Sequence, residues 1–138
     1  MPSILVNSKE EMLEFAKSWS TGLRPGTIVY LSGDLGVGKT TFVQGVLEGL
    51  GYLATVKSPT FTLVESYLLD NDRNFYHFDL YRIDKREDLE AIGFRDYFSL
   101  DNILFIEWPE KAEGYLPVPT YHIKIESFGK QRKLSIES

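Results

Sequence analysis

Gly33, Gly38, Lys39 and Thr40 fall at the spacing G-x-x-x-x-G-K-[ST]. Those residue types at those intervals suit one chemistry, the cradling of phosphate. Across Gly33, Asp34, Leu35, Gly36, Val37 and Gly38, three glycines keep side chains away from the backbone, so successive N–H groups can converge on phosphate oxygens. Lys39 supplies a flexible cation for the outer phosphates, and Thr40 supplies a hydroxyl suited to magnesium, with Thr41 directly behind. The competing reading is a glycine-rich turn with no ligand. The glycine order G-x-x-G-x-G is not the dinucleotide pattern G-x-G-x-x-G, which argues against a nicotinamide cofactor.

A magnesium-nucleotide site needs a second acidic element at the end of another core strand. The stretch Ile103-Leu104-Phe105-Ile106-Glu107 offers one, although Glu107 could equally mark the wet end of a buried strand. A second carboxylate, Asp79, shares a strand face with Phe75 and His77 if Phe75–Leu80 is extended. It could hold a metal-bound water, orient an attacking water, or form an ion pair with Arg82 or Lys39. His77 is either a hydrogen-bonded structural histidine or part of the site. Lys57–Leu63 carries Ser58, Pro59 and Thr60. This is either a segment that orders around a terminal phosphate or a plain connector.

These groups need elements to position them. Thr27–Leu31 is β-branched and bounded by turn signals, so it reads as the strand entering the glycine loop. Val43, Val46, Leu47 and Leu50 mark the helix leaving it, with Gly49 and Gly51 near its end. Upstream, Ser8 and Glu11 have capping-box spacing, and Met12, Phe15, Ala16 and Trp19 recur at helical intervals, predicting a helix over Ser8–Ser20. Leu63–Leu69 and Phe75–Leu80 read as strands joined through Asp70–Asn74. Asp84–Glu87 opens a helix that Gly93 stops, and Asn102–Glu107 reads as a strand buried on both faces. Beyond Pro117 and Pro119, alternation around Tyr121, Ile123 and Ile125, then Leu134 and Ile136 past Gly129, predicts a terminal hairpin. Interleaved helices and strands give an α/β class: a mostly parallel core sheet flanked by helices, with antiparallel additions.

The chain of 138 residues fits one domain, residues 1–138, without an internal repeat or linker. Its formal charge of −5 disfavours a protein that coats nucleic acid with its whole surface. Cysteine is absent, which excludes disulfides, thiolate catalysis and cysteine zinc sites. No signal peptide or membrane-length apolar run is evident, so a cytoplasmic location away from membranes is expected.

Four stretches in order, GDLGVGKTTF, VKSPTFTLVE, FYHFDLYRI and ILFIEWPE, together resemble the bacterial TsaE (YjeE) family. That family comprises small P-loop ATPases needed for threonylcarbamoyladenosine formation in transfer RNA. The likeness extends over most of the chain and implies a P-loop NTPase-like fold. It implies that Lys39 and Thr40 bind phosphate and Mg2+, that Glu107 completes the metal site, and that Asp79 is needed for hydrolysis. It also implies a switch-like role for Ser58-Pro59-Thr60 and a place for Trp108 beside the nucleotide. Lys130 is a candidate for closing over the base, and Met12 stands where the family often has threonine. The implied nucleotide is ATP, and neither an N-K-x-D nor a D-x-x-G guanine-nucleotide motif occurs. The implied partners are TsaD and TsaB, with tRNA met only indirectly. Two other functions fit the motifs: a small-molecule kinase using Arg82 and Arg86, and a nucleotide-gated interaction module with negligible hydrolysis.

Overall fold

A computed structural model describes residues 3–52, 63–69 and 73–138. Ser58, Pro59 and Thr60 therefore lie outside the described residues. The strands are β1 (Ser3–Val6), β2 (Ile28–Ser32), β3 (Val64–Leu68), β4 (Asn74–Asp79), β5 (Asn102–Glu107), β6 (Tyr121–Phe128) and β7 (Gln131–Glu137). The α-helices are α1 (Lys9–Ser20), α2 (Lys39–Gly49) and α3 (Arg86–Ala91), with 3-10 turns at Phe94–Tyr97 and Pro109–Ala112.

All seven strands form one sheet in the order β1-β7-β6-β2-β5-β4-β3. Its centre, β6-β2-β5-β4, is parallel. The β6–β7 hairpin, β1 and β3 join it antiparallel. Every residue of β5 is buried, as its unbroken apolar run requires of a strand covered on both faces.

On one face, Phe42, Val43, Val46 and Leu47 of α2 pack on Val29, Leu31, Phe75, Ile103 and Phe105. Helix α1 lies against α2, and glycine permits the approach. A Cβ on Gly45 would sit 2.7 Å from both Ala16 Cβ and the Leu13 carbonyl. Gly49, expected only to help end the helix, also faces α1, against Ser20 and the Lys17 carbonyl. On the other face Phe78, Leu104 and Ile106 are covered by Leu89 of α3 and by Phe94.

Two local details differ from the sequence reading. Ser8 caps α1 by accepting from the Glu11 N–H at 3.1 Å, as expected. The Glu11 carboxylate, however, reaches the Asn7 N–H at 3.0 Å, one residue before the position a strict capping box would use. Strand β1 has no counterpart in the sequence reading, because its order comes from pairing with β7 at the far end of the chain.

Candidate functional site

Strand β2 ends at Ser32 and helix α2 begins at Lys39, so the glycine loop bridges the carboxyl end of a central strand and a helix N-terminus. Gly36 and Gly38 adopt φ of 76° and 118°, which side chains rarely tolerate. The loop is tied down from outside its own sequence: Arg132 of β7 donates from Nε to the Val37 carbonyl at 3.1 Å. Lys39 is buried rather than projecting into water, and its Nζ donates to the Gly33 carbonyl at 2.6 Å.

The same ammonium lies 3.3 Å from Glu107 Oε1. The other oxygen, Oε2, meets His77 Nε2 at 2.5 Å. Strands β4 and β5 set this up by register, since Asp79 pairs with Glu107 and His77 with Phe105. The alternation of β4 turns Phe75, His77 and Asp79 to one face, the face that α2 covers. Burial alone would push the Glu107 carboxyl up. The hydrogen bond that His77 donates, together with the positive charge of Lys39, outweighs burial and holds the group below the ordinary range.

Asp79 behaves oppositely. Burial pushes its carboxyl up; the Tyr81 backbone N–H, bound at 3.0 Å, partly offsets this, and the nearby Glu107 charge adds to it. Lys39 takes Glu107 as its salt-bridge partner, so the ion pair between Asp79 and Lys39 weighed from the sequence is not the one formed.

Trp108 follows Glu107 with φ of 58°, a left-handed conformation uncommon for a bulky residue. Its ring lies 4.6 Å from Lys39 Nζ and 4.9 Å from the Tyr81 ring. Trp108 therefore lies beside Lys39 and Tyr81, two residues that line the cavity over the loop.

A cavity of about 450 Å3 opens over the loop, lined by Lys39, Thr40, Asp79, Arg82 and Glu107 among others. A smaller one of about 230 Å3 adjoins it through Gly36, Gly38 and Thr41, and is bounded by Ser8, Met12 and Lys130. Leu35 forms part of the first cavity and Val37 part of the second, whereas Asp34 contributes its backbone carbonyl to a turn that accepts from Val37 N–H. A larger cavity of about 620 Å3 lies along Tyr30, Ser32 and His122 and shares no lining residue with the cavity over the loop.

Magnesium fits the first cavity. Thr40 and Glu107 offer hard oxygen donors there, and the carboxylate is held ionised. No cluster of three or more His, Cys, Asp or Glu suited to a metal occurs among the described residues.

Sequence reasoning placed Lys39, Thr40, Asp79, Glu107 and Trp108 in one site, and the structure brings them together. It missed the His77–Glu107 hydrogen bond and the Arg132 tether, which depend on strand register and on the hairpin folding back. Among the described residues, no helix is long and apolar enough to cross a membrane.

The family model described as "Threonylcarbamoyl adenosine biosynthesis protein TsaE" matches residues 6–134. The tRNA threonylcarbamoyladenosine biosynthesis protein TsaE of Haemophilus influenzae is 44% identical over 130 residues, covering 91% of this chain and 82% of that protein. The protein of the same name from Bacillus subtilis is 37% identical over 124 residues, covering 90% and 77%. Among solved structures, Bacillus subtilis YdiB superposes with a TM-score of 0.81 at 31% identity, covering 98% of this chain and 83% of that one.

Proposed function

The chain belongs to the TsaE family, and on that premise we propose that it is a magnesium-dependent P-loop ATPase serving threonylcarbamoyladenosine formation in tRNA, acting on a TsaD–TsaB complex. The observation that carries this reading is the convergence of Lys39, Thr40, Asp79 and Glu107 on one cavity over the glycine loop.

Each residue has a task that its surroundings support. The loop N–H groups and the start of α2 favour negative charge at the phosphates. Lys39 exchanges the Gly33 carbonyl and Glu107 for phosphate oxygens, retaining charge-assisted contacts in a site screened from water. Thr40 and Glu107 would hold a magnesium ion, which when bound would neutralise charge building on the transferred phosphoryl group. Asp79, whose carboxyl is pushed up by burial, sits beside them to orient the attacking water or accept its proton. The adjoining cavity at Ser8, Met12 and Lys130 takes the nucleoside end.

Phosphoryl transfer depends on positioning and electrostatics, and P-loop enzymes often gain both from a partner. We therefore assign slow turnover to the isolated chain and faster turnover to its complex with TsaD and TsaB. The partners, not this chain, carry the threonylcarbamoyl group, and tRNA is engaged through them.

The test has two arms. Lys39→Ala should weaken ATP binding in calorimetry by about 10- to 100-fold, the equivalent of one charge-assisted contact. ATP hydrolysis by the unaltered protein should rise as TsaD–TsaB is added. Unchanged affinity in the first arm removes the phosphate assignment; turnover indifferent to the pair removes the partner assignment.

A further inference from the structure

His77 is completely buried in the middle of β4. A phenylalanine or leucine would fill such a position without desolvating a polar ring. The ring makes one hydrogen bond, from Nε2 to Glu107 Oε2 at 2.5 Å, and Nδ1 is buried with no partner among the described residues. A proton on Nδ1 would be a donor with no acceptor, and it would leave the Nε2 lone pair facing a carboxylate. The proton therefore belongs on Nε2.

Glu107 is divided between two neighbours. Oε2 faces a ring that neighbouring strands hold in register, whereas Oε1 faces Nζ of a flexible lysine. One oxygen is fixed and the other is exchangeable. We propose that His77 is a positioning residue, an Nε2–H donor that fixes Oε2 so that Oε1 alone passes between the Lys39 ammonium and the magnesium ion. This rests on the assignment of Glu107 to the metal and extends it: His77 sets metal affinity and takes no part in phosphate binding or proton transfer. Hydrogen-bond partners that orient a metal ligand typically govern affinity by about 10- to 100-fold.

The experiment compares His77→Leu and His77→Gln with the unaltered chain, each first checked for a cooperative thermal transition. ATP affinity is measured in chelator and across a magnesium titration. His77→Leu should raise the half-saturating magnesium concentration by about 10-fold or more while leaving metal-free ATP affinity nearly unchanged. His77→Gln, whose amide can return an N–H to the same oxygen, should recover most of the loss. Nitrogen-15 NMR of the unaltered protein without nucleotide should show the proton on Nε2 and none on Nδ1, a readout independent of whether either variant folds. A proton on Nδ1 alone, a normal magnesium requirement in His77→Leu, or equal loss of metal-free and metal-dependent binding would each overturn the proposal. Glu107→Gln, run alongside, separates the two readings. If its magnesium requirement is normal, the metal assignment itself fails. If it shifts while His77→Leu does not, only the role of His77 fails.

Discussion

The ends of β4 and β5 are neighbours in register, and each presents a carboxylate to the same cavity, yet their surroundings push the two groups apart. Glu107 is buried, with Lys39 on one oxygen and His77 on the other, and is held below the ordinary carboxylate range. Asp79 is only half-buried, takes one backbone N–H from Tyr81, and is pushed upward by burial with Glu107 adding to the effect. A carboxylate kept ionised suits holding a cation. One whose proton is easier to regain suits orienting water or moving a proton. Two similar side chains thus divide the work because their strands deliver them to different partners.

The largest effect expected from breaking this division is on turnover. Asp79→Asn keeps the size and the acceptor for the Tyr81 N–H but cannot take a proton. ATP should bind nearly as before while partner-stimulated hydrolysis falls by about 100-fold. If affinity and turnover fall together by the same factor, Asp79 shares the role given to Glu107 and the contrast collapses.

A smaller effect is expected at β5. Glu107→Gln leaves Lys39 with the Gly33 carbonyl but without a counter-charge, at a position almost closed to water. Urea denaturation without nucleotide should show a loss of about 1–3 kcal/mol, the usual cost of stranding a buried charged group. The two amide substitutions should thus differ in kind, Glu107→Gln costing stability and Asp79→Asn costing chemistry. Equal stability of Glu107→Gln and the unaltered chain would mean that the Lys39–Glu107 pair contributes nothing before substrate binds.

The contrast was only half legible in the sequence. The glycine loop, Lys39 and Thr40 are readable because their chemistry is local, with spacing and flanking elements in one stretch. Strand β5 is readable because Ile103–Ile106 is too apolar for anything but a buried element, and Glu107 stands out at its end. What distinguishes Glu107 from Asp79 is tertiary. The His77–Glu107 bond joins residues 30 positions apart through strand register, and no local pattern encodes that register. Gly45 reads as an ordinary helix-weakening residue until α1 is seen against it. Strand β1 escapes for the same reason. Its Ile4 and Leu5 are exposed, so no buried periodicity announces it, and β7 supplies its order.

The smallest effect is the most direct check on the contrast, because it concerns sign. Asp79 has a folded-state pKa raised above the ordinary 3.8, so between the two values the folded chain binds more protons than the unfolded chain. Stability therefore falls as pH rises through that window, and the deficit is complete above it. Glu107 is lowered from the ordinary 4.5, so its contribution is present above that value and is lost as pH falls through the depressed one. Asp79→Asn removes a deficit, and Glu107→Gln removes a contribution. At pH 7, Asp79→Asn should be slightly more stable than the unaltered chain, on the order of 0.5 kcal/mol, a small figure because solvent screens a half-buried carboxylate. That advantage should shrink as pH falls through the raised value, whereas the deficit of Glu107→Gln should persist to lower pH before it closes. Urea midpoints for the three proteins, taken at intervals from pH 7.5 down to pH 4, measure both trends. Loss of stability in Asp79→Asn at pH 7 would show that the carboxylate at the end of β4 is held by a favourable partner, and the two strand ends would then be alike.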